Sequence, residues 1–84
     1  MPTDQRILEQ VLSGGADSAI EFSDLLRLLA ALGFDVRIRG DHFIHSRPGI
    51  RELLNLQPDG HLAKRYQVKQ VQSVIIANRL ELRR

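Results

Sequence analysis

The chain has 84 residues, of which 43% are hydrophobic and 26% are charged. This length accommodates one domain over residues 1–84 and excludes a two-domain cofactor enzyme, while the apolar content is too high for a disordered tail. The absence of cysteine excludes a disulfide framework, a thiolate nucleophile and a cysteine-based zinc site. With no apolar run of roughly 20 residues and no signal-peptide pattern, we expect a cytoplasmic protein that makes no membrane contact.

Charge is distributed unevenly along the chain, although the net charge is only +2. Residues 1–35 carry two basic and six acidic side chains, a net charge of −4, whereas residues 36–84 carry ten basic and four acidic ones, a net charge of +6. Such an asymmetry is typical of a surface that binds a polyanion. Charge alone is equally compatible with solvated faces that bind nothing.

A short helix is predicted at the N-terminus, over about 4–13. Thr3 or Asp4 is available as its N-cap and Gly14-Gly15 as its terminator. Its apolar residues have helical spacing and form one stripe: Ile7, Leu8, Val11 and Leu12.

A second helix is predicted from the apolar residues between Phe22 and Leu32, which recur at steps of three and four. Ser23 is available as its N-cap. Gly33 should end this helix in a left-handed conformation that brings Phe34 back onto Leu29, as in a Schellman motif.

After Phe34 the spacing of apolar residues changes from helical to alternating, which predicts a strand with one wet face. Gly40-Asp41 follows this strand, and glycine at the first central position favours a type II′ turn. We therefore predict that residues 34–39 and 42–47 form a hairpin with a two-residue turn, in which Gly40 is a structural turn residue.

Two further elements complete the predicted fold. The segment from Glu52 to Gln57 is short, apolar and strand-like, and it stops at the turn signal Pro58-Asp59-Gly60. An amphipathic helix is predicted from about Gln67 to Asn78, with one face formed by Val68, Val71, Val74 and Ile75. The order α-α-β-β-β-α predicts a small α+β domain in which helices cover one face of a three-stranded antiparallel sheet.

The two-residue turn also fixes the register of the hairpin. Arg39 then pairs with His42, Ile38 with Phe43, Arg37 with Ile44 and Val36 with His45. This register places Arg37, Arg39 and His42 on the exposed face of the sheet. The apolar set of Val36, Ile38 and Phe43 should face the helices.

His42 is the candidate catalytic residue of this exposed face. Histidine ordinarily titrates near neutral pH, as general acid–base catalysis requires. Arg37 and Arg39 on either side could hold an anionic phosphodiester and offset the charge that builds up on it. The spacing leaves open a surface histidine with no chemical role.

The other two histidines have less specific surroundings. His42 and His45 are three residues apart in a strand, so they point to opposite faces and do not form a metal site. We therefore predict no metal and no cofactor, with His45 as a structural histidine that points toward the core. His61 follows Pro58-Asp59-Gly60 and is either a second proton-transfer group or a plain surface residue, of which we favour the second.

A basic cluster surrounds the start of the last predicted helix. Lys64 and Arg65 lie just ahead of that helix and Lys69 lies in its predicted first turn, where the helix dipole disfavours positive charge. A bound phosphate would relieve this conflict, because helix N-termini offer free N–H groups to anions. The alternative is a surface coincidence with a small energetic penalty.

Four segments together resemble HicA-type toxins of bacterial toxin–antitoxin systems. They are Phe22 to Phe34, the turn from Arg39 to His42, the strand at Leu54 to Gln57 and the basic stretch from Lys64 to Lys69. The resemblance covers roughly residues 20–78. It implies a fold similar to the double-stranded RNA-binding domain, cleavage of messenger RNA by a histidine in a Gly-x-His hairpin, and a HicB-type antitoxin that covers the toxin. Gly40 matches the hairpin glycine, and His42 matches the catalytic histidine.

The sequence departs from the family pattern at two positions and at the N-terminus. Asp41 stands where the family often has a small residue, which places a carboxylate beside the predicted phosphate site. His45 replaces a residue that is usually aromatic. The N-terminal helix lies outside the resemblance and is a candidate for an antitoxin or homodimer contact.

Together with the placement of His42 and the arginines, the resemblance implies a metal-independent ribonuclease toxin. His42 would act as general base or acid on the phosphodiester, with Arg37 and Arg39 as phosphate-stabilising residues. Further RNA-backbone contacts are predicted from the basic cluster, namely Lys64, Arg65 and Lys69. The alternatives are a non-catalytic RNA-binding module of the same fold and a protein-interaction domain whose basic face docks an acidic partner.

Overall fold

The chain folds into an α+β arrangement, described by a computed structural model over residues 3–13 and 19–82. The helices are α1 (Asp4–Leu12), α2 (Phe22–Ala31) and α3 (Arg65–Asn78). The strands are β1 (Asp35–Arg39), β2 (His42–Ser46), β3 (Leu54–Leu56), β4 (Pro58–Asp59) and β5 (Leu62–Ala63). β1, β2 and β3 form a three-stranded antiparallel sheet in that order, which confirms the predicted layout.

One apolar core joins the three helices to one face of this sheet. α1 contributes Ile7 and Val11, and β3 contributes Leu54 and Leu56. Fully buried side chains of this size each contribute about 1.5–3 kcal/mol relative to exposure. The larger share comes from α2 and α3, through Leu25, Leu28, Leu29, Val71 and Ile75. No helix of the described residues is long and apolar enough to cross a membrane.

Three of the four ends of α1 and α2 can be compared with the predictions, and two of them follow the predicted local signals. Thr3 is the N-cap of α1, because its hydroxyl accepts a hydrogen bond of 3.2 Å from the backbone N–H of Arg6. The predicted terminator Gly14-Gly15 lies outside the described residues. Ser23 was wrong as the N-cap of α2: the N-cap residue is Glu21, two residues earlier, and the helix begins at Phe22.

A Schellman motif ends α2, as predicted. Gly33 has a φ of +93°, which is accessible to glycine without the clash that a Cβ atom brings. The N–H of Phe34 donates to the carbonyl of Leu29 at 3.0 Å, and the N–H of Gly33 donates to that of Ala30 at 3.0 Å. Phe34 and Leu29 are both buried in the core, so the chain leaves the helix directly into β1.

The hairpin of β1 and β2 has the predicted two-residue turn and the predicted register. Arg39 pairs with His42, Ile38 with Phe43, Arg37 with Ile44 and Val36 with His45. Gly40 has a φ of +59° whereas Asp41 has no positive φ, as a type II′ turn requires. β3 extends the ladder by pairing Ile44 with Asn55. We call the side with Phe43, His45, Leu54 and Leu56 the inner face, and the side with Arg37, Arg39, His42 and Asn55 the outer face.

The turn at Pro58-Asp59-Gly60 and the start of α3 differ from the predictions. Pro58-Asp59-Gly60 does not simply stop a strand: Pro58–Asp59 pairs with Leu62–Ala63 in a second, two-stranded sheet. Because Ala63 N–H donates to the Ile20 carbonyl at 2.8 Å, this small sheet ties the entry of α2 to the entry of α3. α3 begins at Arg65, two residues earlier than predicted, so Lys69 lies in its second turn and not in its first.

The inner face of β1 is less covered than predicted. Val36 and Ile38 point to the same side as the helices, but they are 51% and 59% exposed. The reason is that β1 is an edge strand, and of α2 only Leu26 and Ala30 line the groove beside it. The predicted orientation toward the helices is therefore confirmed for all three residues, but only Phe43 packs against the core, where it is partly buried.

Candidate functional site

His42 lies at the start of β2, directly after the two-residue turn, with its side chain 47% exposed on the outer face. Its Nδ1 atom is 3.1 Å from the side-chain oxygen Oδ1 of Asn55. Its Nε2 atom is 3.5 Å from the amide nitrogen of Gln57 and 3.9 Å from Oδ1 of Asp41. The imidazole therefore stands in solvent contact, held on one side by β3 and bordered on the other by polar groups.

The contact with Asn55 determines which nitrogen of the neutral imidazole carries the proton. An amide oxygen only accepts hydrogen bonds, so Nδ1 must carry the proton and donate a hydrogen bond to Asn55. Nε2 then carries the lone pair, which accepts a long hydrogen bond of 3.5 Å from the side-chain amide of Gln57, and it is the nitrogen that can take up a proton from a bound molecule. Asp41 Oδ1, at 3.9 Å, lies at ion-pair distance from Nε2 when that nitrogen becomes protonated.

Gln57 connects the turn to the imidazole. Its side-chain amide donates to Oδ2 of Asp41 at 3.1 Å, and the same nitrogen lies beside Nε2 of His42. Asp41 is thereby tied to Gln57 by one hydrogen bond, although its side chain is 70% exposed. Asn55 and Gln57 were both missed as site residues by the sequence analysis, because their roles depend on pairing between β2 and β3.

Gln67 on α3 supports the backbone of Asn55 and Gln57, although it touches no reacting atom. It is only 3% exposed, and its amide oxygen accepts from the backbone N–H of Gln57 at 3.2 Å. Its amide nitrogen donates to the backbone carbonyl of Asn55 at 3.3 Å. The sequence holds one signal for it, because Gln67 shares the helical spacing of Val71 and Val74, which are buried.

The two predicted arginines lie on the outer face with His42. Arg39 is directly opposite His42, and Arg37 is opposite Ile44, one pair further along the hairpin. Both are exposed, and within the described residues neither makes an ion pair or a side-chain hydrogen bond. Directly opposed side chains have Cβ atoms about 4.5–5.5 Å apart. An anion at the imidazole is therefore within reach of at least one unpaired guanidinium group.

The basic cluster lies at the start of α3. Lys64 is the N-cap residue, Arg65 is the first helical residue, and no side chain caps this helix end. Because Gln67 in the first turn of α3 contacts the backbone of Asn55 and Gln57, this helix start lies against the part of the sheet that holds His42. Lys69 lies one turn further along and is exposed.

The structure separates the other histidines from this site. His45 is 2% exposed on the inner face, and its Nδ1–H donates to the Phe43 carbonyl at 3.1 Å. Burial lowers the pKa of His45, and hydrogen bonds to backbone groups of Phe43 and Leu54 oppose that shift only in part. Its predicted coreward orientation is confirmed.

His61 lies in the turn of the second sheet, where its side chain is 76% exposed. Its Nδ1 is 3.0 Å from the carboxylate of Glu21, the N-cap residue of α2. This contact gives His61 a local partner that is different from those of His42. Within the described residues no group of three histidine, aspartate or glutamate side chains is arranged to hold a metal ion.

No protein-family model, curated protein or solved structure matches the chain.

Proposed function

We propose that the chain is a metal-independent endoribonuclease toxin of the HicA type. The observation that carries this proposal is the exposed imidazole of His42, whose Nδ1 is held by Asn55 while Nε2 remains a proton acceptor. The guanidinium groups of Arg37 and Arg39 lie on the same face, and among the residues that the structure describes they have no ion-pair partner, which supports an anionic substrate. The residues Gly40 and His42 also match the Gly-x-His hairpin of that family.

The proposed reaction is the attack of an RNA 2′-hydroxyl on the adjacent phosphodiester. Nε2 of His42 accepts the hydroxyl proton while the 2′-oxygen forms a bond to phosphorus. The bond between phosphorus and the 5′-oxygen breaks, and the leaving 5′-oxygen takes up a proton from water, which gives a 2′,3′-cyclic phosphate and a 5′-hydroxyl. Arg39 and Arg37 stabilise the extra negative charge on the phosphoryl oxygens. DNA lacks the 2′-hydroxyl and is therefore spared.

The remaining parts of the proposal concern RNA binding and regulation. Lys64, Arg65 and Lys69 follow the RNA backbone from the start of α3, since phosphate contacts position a nucleic acid without reading its sequence. The resemblance further suggests a double-stranded RNA-binding-domain-like fold, a cytoplasmic site of action and a HicB-type antitoxin as the inhibitor. α1, which is outside the resemblance, remains a candidate contact for the antitoxin or for a homodimer.

A second candidate function is a non-catalytic RNA-binding module. The observation that favours it is the position of Gln57 and Asp41, which lie beside Nε2 and place an amide and a carboxylate where a phosphate would approach. Negative charge at that point weakens phosphate binding. The basic residues of the outer face and of α3 would still bind RNA electrostatically.

One incubation separates the two functions. Purified protein is mixed with end-labelled RNA in EDTA, and the mixture is resolved on denaturing and native gels. A ribonuclease gives shorter product on the denaturing gel, whereas a binding module gives only a shifted complex on the native gel. His42→Ala should lose the product and keep the shift, and His61→Ala, a histidine variant in the other hairpin, should retain both.

Induced expression of the same three proteins provides the cellular test. The wild type and His61→Ala should arrest growth and deplete transcripts, whereas His42→Ala should not. Equal growth arrest and equal transcript loss with His42→Ala would remove the catalytic assignment.

A further inference from the structure

The free edge of β1 is basic on its outer face and apolar on its inner face. β1 is the outer strand of the sheet, and all five of its residues are exposed. Its outer face carries Arg37 and Arg39, while its inner face presents Val36 and Ile38, more than half exposed, beside α2. Exposed large apolar side chains that line a groove mark an interaction surface more often than isolated ones do.

The backbone of this edge is available for strand addition. Arg39 and His42 flank a two-residue turn and form a hydrogen-bonded pair, so the N–H and C=O groups of Val36 and Ile38 point away from β2. Among the described residues no turn, loop or side-chain hydrogen bond uses these four groups. A strand placed here would make a ladder with Val36 and Ile38 and cover their side chains at the same time.

We propose that β1 binds an extended segment of a partner protein in which acidic and apolar residues alternate. Added antiparallel, such a segment places apolar side chains opposite Ile38 and Val36 and acidic side chains opposite Arg39 and Arg37. Asp35, at the other end of β1, disfavours a third acidic residue in the segment and favours a basic one. The pattern that fits, read against β1 from Arg39 to Asp35, is acidic, apolar, acidic, apolar, basic.

Charge decides between this partner and a second copy of the chain. Two copies of β1 paired antiparallel about their centre would bring Arg37 opposite its own counterpart, which is destabilising. Pairing about Val36 would place Arg37 opposite Asp35, but it pairs only three residues of each β1 and leaves Arg39 with no acidic partner. The acidic segment meets Arg37 and Arg39 with opposite charge. Bound there, it would also occupy the guanidinium groups that are proposed to hold the RNA phosphate, and this inhibitory consequence rests on the proposed function, whereas the binding of the segment does not.

The test uses a fluorescent peptide with the core Glu-Val-Glu-Val-Lys, titrated with the full-length protein by anisotropy in the absence of RNA. A peptide of the same composition in the order Glu-Glu-Lys-Val-Val is the control and should bind at least about tenfold more weakly. N-methylation of the two valines removes the N–H groups that face β1 and should abolish binding. N-methylation of the two glutamates, whose N–H groups face away, should leave most of it.

Variants of the protein test the side-chain part of the proposal. Ile38→Thr keeps a strand-forming residue but shortens the apolar surface, and it should weaken peptide binding about tenfold. The double variant Arg37→Glu with Arg39→Glu should lose the Glu-Val-Glu-Val-Lys peptide and gain a Lys-Val-Lys-Val-Glu peptide. Circular dichroism verifies that each variant is folded. Binding of the Lys-Val-Lys-Val-Glu peptide by the double variant confirms independently that this variant is folded.

Three results would overturn the proposal. They are equal binding of the ordered and reordered peptides, unchanged binding after valine N-methylation, and a wild-type dimer in sedimentation that Ile38→Thr converts to monomer. The last result would assign the edge to a second copy of the chain. A separate arm measures displacement of labelled RNA by the peptide: if the peptide binds but no RNA is bound or cleaved, the proposed function fails and the docking proposal stands.

Discussion

Oδ1 of Asn55 lies 3.1 Å from Nδ1 of His42, across the pairing between β2 and β3. This contact determines which nitrogen of the imidazole carries the proton. The geometry of the candidate site therefore depends on the sheet as well as on the turn, since Asn55 lies in β3 between the buried residues Leu54 and Leu56.

Asn55→Ala removes the acceptor that fixes the tautomer of His42. We expect the single-turnover rate of RNA cleavage to fall about tenfold, because a hydrogen bond of this kind contributes about 0.5–1.5 kcal/mol. RNA affinity at the same salt concentration should not change. Asn55→Asp keeps an acceptor for Nδ1–H and should retain most of the rate at saturating protein, whereas a wild-type rate for Asn55→Ala would exclude Asn55 from the site.

Gln67→Leu removes both hydrogen bonds that Gln67 makes to the backbone of Asn55 and Gln57. Backbone groups left without partners cost about 1–3 kcal/mol, so the free energy of unfolding in urea should decrease by that amount. Gln70→Leu, at an exposed position one turn later on α3, is the matched control and should change stability by less than about 0.5 kcal/mol. Equal stability of the two variants would contradict the supporting role of Gln67.

The contrast between Gly40 and Gln67 shows how far the sequence predicts this site. The hairpin register and the end of α2 follow from glycines within a few residues of the elements they shape, and both predictions are confirmed. Gln67 acts on residues 10 and 12 positions away, and its burial among apolar neighbours depends on the packing of α3 against β3. The face to which Val36 and Ile38 point also follows from the sequence, but their exposure does not, because alternation gives the face of a strand and not what covers it.

Burial of His45 makes the stability of the fold dependent on pH. Its pKa in the folded state lies below the ordinary histidine value of 6.5, so between these two values the unfolded chain binds a proton that the folded chain does not. Stability is therefore full above about pH 6.5 and decreases as the pH falls from there toward the folded-state pKa. Urea unfolding between pH 7.5 and pH 5 should show this loss.

His45→Phe provides the control for that prediction, because phenylalanine fills the inner face without a titrating group. The variant should lose the part of the pH dependence that begins near pH 6.5, and His61→Ala, at an exposed histidine, should keep it. The same pH dependence in wild type and His45→Phe would assign the effect to other groups.

Lys64 and Lys69 test whether RNA follows the start of α3. Each phosphate contact adds about one to the slope of log affinity against log salt, so Lys64→Ala and Lys69→Ala should each lower the slope by about one. Affinity should fall by a similar factor for RNAs of different sequence. Arg6→Ala, on the exposed side of α1, should leave the slope unchanged, and an unchanged slope for the two lysine variants would exclude them from phosphate contact.

The most direct measurement is the rate of RNA cleavage by His42→Ala in EDTA, with protein in excess and RNA binding measured in parallel. If Nε2 of His42 takes the proton of the attacking hydroxyl, the rate should fall by at least about 100-fold while the dissociation constant for RNA stays within about threefold of wild type. Cleavage at the wild-type rate by the variant would contradict the assignment of His42 as the catalytic residue.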